Sequence, residues 1–80
     1  MDDQEAFRLS CELAQRINRE TLTDPSSPYA GKFVGIANGQ VVVVADDLGT
    51  MLRRLGEVEP NNRRCCCIEA SRDYTVVQPV

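Results

Sequence analysis

The chain contains no histidine and no tryptophan in its 80 residues. The first absence removes the commonest general base, the commonest metal-binding side chain and every His-dependent catalytic triad. Two Phe and two Tyr are the only aromatics, so the core has to be aliphatic, drawn mainly from Val, Leu and Ile. A basic excess is missing as well: 9 Lys and Arg stand against 12 Asp and Glu, giving a net charge of −3 and a pI of about 4.8. Proteins dedicated to nucleic acid take most of their affinity from phosphate contacts, so this balance points away from them. No apolar run approaches the ~20 residues of a membrane span. The opening Met1-Asp2-Asp3-Gln4-Glu5 lacks the basic start and apolar centre of a secretory leader. The expectation is a soluble cytoplasmic protein with no membrane partner.

Apolar content of 42% and charged content of 26% fit one small globular domain. The chain divides into an N-terminal helical segment (1–22), a loop (23–30) and a ββαβ unit (31–80). Its organising stretch runs from Lys32 to Leu55. Two β-rich runs, Phe33–Ala37 and Gln40–Ala45, flank Asn38-Gly39, the pair best suited to the two φ > 0 positions of a type I′ hairpin turn. Asp46 and Asp47 then offer a helix N-cap, and Leu48, Met51, Leu52 and Leu55 fall at i, i+3, i+4 and i+7, one apolar stripe of a helix. Gly56 is placed to end that helix as a left-handed residue.

Upstream, Asp2 or Asp3 can cap a first helix from about Gln4 to Glu20. Leu9, Leu13, Ala6, Ile17, Ser10, Ala14 and Phe7 share its apolar arc, and Glu12–Arg16 and Gln15–Arg19 support its exposed side at i,i+4. From Thr21 to Ala30, two prolines and several hydroxyls predict a loop. Downstream, Glu57–Arg64 reads as a polar turn and Cys65–Ala70 as a third strand. Ser71-Arg72-Asp73 reads as a turn or bulge, and Tyr74–Val77 as an extension or a fourth strand. The fold class is α+β: an amphipathic helix, then ββαβ, with a three- or four-stranded mixed sheet and helices packed on it. The strand order is expected to be 2-1-3. Val41–Val44 show no alternation, so that strand is expected to be buried on both faces in the middle of the sheet. One face would be covered by the second helix, the other by the first helix or by a second copy of the chain.

Tyr29, Gly31, Lys32, Phe33, Val34, Asn38, Gly39, Val41 and Val42, followed by Asp46-Asp47-Leu48, resemble a family of small prokaryotic domains of unknown function. Its members share a Tyr-x-Gly-Lys-(Trp or Phe)-Val hairpin, then a short helix and a last strand. The resemblance spans about Tyr29 to Glu69 and implies the same α+β unit in a bacterial protein. It brings no activity with it.

The sharpest chemical oddity is the run Cys65-Cys66-Cys67, with Cys11 as the fourth cysteine. On a strand, Cys65 and Cys67 share one face and Cys66 takes the other. A metal site would therefore need Cys65, Cys67 and Cys11 with Glu69 as a fourth ligand, although paired Cys-x₂₋₄-Cys units are absent. Thiol redox chemistry is the related possibility, with Arg63 and Arg64 beside Cys65 able to lower its pKa if the side chains meet. Gly31-Lys32 matches only the end of a phosphate loop: Ser26 replaces its first Gly, Phe33 its Ser or Thr, and a strand follows. Asp46 and Asp47 could form a carboxylate pair, but capping accounts for them. Arg53, Arg54, Arg63 and Arg64 could form a basic patch for nucleic acid or an acidic partner.

These residues favour a non-enzymatic protein-interaction or assembly module, a homodimer, needing no cofactor or metal. No nucleophile–base motif is present, and the chain is too short to enclose a substrate. The alternatives are a thiol-based metal or redox protein using the cysteines, and nucleic-acid binding through the arginines.

Overall fold

The computed structural model describes residues 2–73. Helix α1 (Asp3–Thr23) leads to a hairpin of β1 (Phe33–Ala37) and β2 (Gln40–Ala45). Helix α2 (Leu48–Val58), a 3-10 turn (Asn62–Arg64) and β3 (Cys65–Glu69) follow. The sheet order is β2-β1-β3, as expected. Both pairings are antiparallel, where a mixed sheet was expected. Because β1 lies between them, β2 and β3 share a direction but never pair. The expected extension or fourth strand at 74–77 lies outside the described residues.

Local chemistry fixes each element. Asp2 caps α1, its carboxylate accepting from the Glu5 N–H at 2.7 Å. The helix runs past the expected loop start at Thr21 to Thr23. Thr21 is buried there and bonds inward to backbone carbonyls, and Pro25 and Pro28 come too late to stop the helix earlier. On its exposed side Glu12 pairs with Arg8 at 2.9 Å instead of with Arg16. Asn38 (φ 53°) and Gly39 (φ 77°) make the hairpin turn, both in the left-handed region that a type I′ turn needs. Asp47 caps α2, accepting from the Thr50 N–H at 2.8 Å. That helix does not end at Gly56: it continues to Val58, and the Glu59 N–H bonds the Leu55 carbonyl.

The most buried strand is β1, not the valine strand; β2 is an edge strand, and Val44 is 40% exposed. Register explains the unbroken valine run. Gly35 opposes Val43 and Ile36 opposes Val41, leaving Val42 as the extra residue of a β-bulge. Either side of the bulge the alternation changes phase. Val41 therefore joins the α1-side cluster of Ala14, Ile17, Val34, Ile36 and Ala70, while Val42 and Val43 join the α2-side cluster of Ala37, Ala45, Met51 and Leu55. A strand needs no central position to bury valines in both directions when a bulge turns it.

Each face of the sheet is covered by one helix of the same chain. Helix α1 packs on β3 and β1, and α2 packs on β2 and β1. The second face thus needs no second copy. At Gly35 a β-carbon would stand 3.3 Å from both Leu55 Cδ1 and Val43 Cβ, so the bare backbone lets α2 settle close to the sheet.

Helix α1 docks by hydrogen bonds as much as by apolar packing. Ser10, fully buried, accepts from the Gly39 N–H at 3.0 Å and donates to the Arg64 carbonyl at 3.2 Å. Asn18 donates to the carbonyls of Ala70 (2.9 Å) and Arg72 (2.7 Å), and the Thr21 hydroxyl donates to the Ala70 carbonyl. One end of the helix therefore holds the hairpin turn and the other holds the end of β3.

Candidate functional site

The two helices are displaced toward opposite edges of the sheet. Because α1 lies over β3 and β1, the α1 side of β2 is left with Val44 in solvent. Because α2 lies over β2 and β1, the α2 side of β3 keeps Cys67 and Glu69 exposed. A groove of about 170 Å³ runs there between α2 and β3, lined by Phe33, Leu48, Met51, Cys67 and Glu69. Leu48, which lines it, and Leu52, one turn further along α2, are each 49% exposed. Half of the predicted apolar stripe thus packs on the sheet (Met51, Leu55) and half faces outward (Leu48, Leu52). Together they leave an exposed apolar patch on this side of the molecule.

The cysteines divide between the faces. Cys66 points to the α1 side and packs against the core there, with the Cys11 thiol near enough to help raise its pKa. Both line a groove of about 250 Å³ between α1 and β3, together with Ala14, Gln15, Asn18, Cys67 and Ile68. Cys65 lies on the α2 side, its thiol 3.6 Å from the Asn61 carbonyl and 3.8 Å from the Glu59 carbonyl. The expected set of Cys11, Cys65, Cys67 and Glu69 does not converge, because strand alternation puts Cys11's neighbour at 66. Among the described residues no three Cys, Asp or Glu side chains are grouped to hold a metal.

The thiols at 65 and 66 are held as thiols. Burial pushes Cys66 up to about 12, with the nearby Cys11 thiol acting in the same direction. Burial and then the Glu59 carboxylate raise Cys65. The arginines beside Cys65 do not offset this. The Arg64 guanidinium turns away, Nε to Asp3 at 2.7 Å and one terminal nitrogen to Asn38 Oδ1 at 3.0 Å. The same engagement removes Arg64 from the expected basic patch and makes it a clamp between α1 and the hairpin turn. Asn38 completes that clamp, its N–H donating to the Arg64 carbonyl at 3.2 Å and its side chain to Glu59 at 3.0 Å.

The two aspartates have separate duties. Asp47 caps α2 through the Thr50 N–H and hydroxyl, and those bonds hold its carboxyl below the usual range. Asp46 pairs with Lys32 across the start of the hairpin. They form no acid–base dyad, and Lys32 is an ion-pair partner at the sheet edge.

Comparison of the chain with family models, with curated proteins and with solved structures finds no match. No helix among the described residues is long and apolar enough to cross a membrane. Sequence reasoning put Ser10 on the core-facing arc without a hydrogen-bonding role, and passed over Asn18 and Thr21. The signal was present: polar residues at positions where a helical arc faces the core. It also passed over the outward half of the α2 stripe, since periodicity shows which residues share a face and not how far the sheet extends beneath them.

Proposed function

We propose that this chain is a non-enzymatic interaction module that self-associates through the α2 side of its sheet. The supporting observation is half-exposed Leu48 at the Phe33–Cys67 groove, with half-exposed Leu52 one turn along α2. The valine strand gives no support, because α1 already covers the second face. A second copy suits this surface. Across a two-fold axis the same patch meets itself, so Leu52 of each protomer can enter the groove of the other. The rim carries both signs, Arg53, Arg54 and Arg72 with Glu57 and Glu69, so self-contact meets no single-sign repulsion. The resemblance to small prokaryotic hairpin domains over about Tyr29 to Glu69 adds no activity to this reading.

Native mass spectrometry of the full reduced chain tests the proposal. A two-chain mass that Leu52→Glu converts to a single-chain mass supports it. A single-chain mass for the unmodified protein, or a dimer indifferent to Leu52→Glu and Leu48→Glu, overturns it.

A further inference from the structure

The groove between α1 and β3 holds a feature that self-association does not use. Cys11 and Cys66 stand 55 positions apart in the chain, yet both line the wall of one open groove, the Cys11 thiol near enough to help raise the Cys66 pKa. Strand alternation excludes the neighbouring thiols from this contact: Cys65 is turned to the α2 side and bonded to loop carbonyls, and the Cys67 side chain leaves the strand in the same direction as Cys65. Both paired residues are partly exposed, so a small oxidant can reach them from the groove.

We propose that Cys11 and Cys66 form a reversible disulfide that staples α1 to β3. The oxidant is a low-molecular-weight disulfide. The Cys11 thiolate attacks one sulfur of the oxidant, breaking its S–S bond and releasing one small thiolate, which takes up a proton. The product is a mixed disulfide at Cys11. The Cys66 thiolate then attacks the Cys11 sulfur, forming the protein S–S bond and releasing the second small thiol. Two protein thiols are oxidised, one small disulfide is reduced to two thiols, and the protons pass from the protein thiols to the leaving thiolates. Burial keeps Cys66 largely protonated, so ring closure, which needs its thiolate, quickens as pH rises. Reduction by excess small thiol reverses both steps.

The test treats the full chain with oxidised glutathione, caps the remaining thiols with iodoacetamide, and maps the peptides after trypsin. Cleavage at Arg8, Arg16, Arg64 and Arg72 separates the Cys11 peptide from the peptide bearing all three consecutive cysteines. The expected product joins those two peptides, with Cys65 and Cys67 capped, at a rate that climbs with pH. Cys66→Ser and Cys11→Ala should each abolish the joined peptide, whereas Cys65→Ser and Cys67→Ser leave it. Because Cys11 is only partly buried, Cys11→Ala keeps the test decisive should Cys66→Ser unfold. A joined peptide that survives Cys66→Ser overturns the proposal. So does oxidation that yields only a Cys66–Cys67 bond or a Cys67-linked pair of chains while Cys11 is fully capped.

Discussion

Ser10→Ala isolates how α1 is held to the sheet. The Ser10 side chain is fully buried and makes two hydrogen bonds, one from the Gly39 N–H and one to the Arg64 carbonyl. After truncation the Arg64 carbonyl still accepts from the Asn38 N–H, but the half-buried Gly39 N–H loses the Ser10 oxygen. A buried N–H left unsatisfied costs about 1–3 kcal/mol. Alanine returns roughly 0.5 kcal/mol through its better helix propensity, and deleting one oxygen leaves only a small void. The net loss is therefore about 0.5–2.5 kcal/mol. For a domain of this size that lowers Tm by about 2–20 °C. Urea unfolding followed by circular dichroism measures it, with the midpoint falling and the slope unchanged. A loss of less than about 0.3 kcal/mol would refute the account, because water would then be reaching Gly39 and α1 would not seal the turn.

Three further outcomes follow from the same geometry. Ile36→Ala empties a fully buried site between α1 and the central strand and should cost about 2–5 kcal/mol, most of what a small domain has, so thermal unfolding should move close to ambient temperature. The carboxyls of Asp47, Asp24 and Asp3 all sit below their ordinary pKa. Asp47 is lowered mainly by the Thr50 N–H, Asp24 by the Ser26 hydroxyl and N–H, and Asp3 by the Asn61 amide followed by Arg64. A folded-state pKa below the unfolded value stabilises above the unfolded value and is lost as pH falls through the folded one. Stability measured by urea titration should thus be flat from neutral pH down to the usual carboxylate range and drop below it, and Asp47→Asn should remove its share of that slope while keeping a cap. Gly35→Val should displace α2, seen as new backbone amide shifts at Leu55 and Val43, since its β-carbon stands only 3.3 Å from each.

Much of this fold was legible in the sequence because its signals are local. Asn38-Gly39, the Asp47 cap and the Leu48–Leu55 period each encode their own geometry, and the strand order found is the 2-1-3 preferred over 1-2-3. What escaped is set by partners distant in sequence. The bulge at Val42 is a register decision between strands, and without it the four valines imply a central strand. Helix α2 runs through Gly56 because its last turn bonds from Glu59 to Leu55. Cys11 could be placed at the edge of an arc but not opposite Cys66, since that pairing depends on which face of β3 the helix covers. Arg64 was misplaced for the same reason: it finds Asp3 and Asn38, residues 61 and 26 positions away.

Self-association through the α2 side is tested most directly by diluting the ¹⁵N-labelled, reduced protein and following its amide shifts. The account predicts concentration-dependent shifts concentrated at Phe33, Leu48, Leu52 and Cys67, with the α1 side at Ala14 and Ile17 unmoved. Spectra that do not change with concentration, or changes confined to Phe7 and Leu22 on α1, would contradict it.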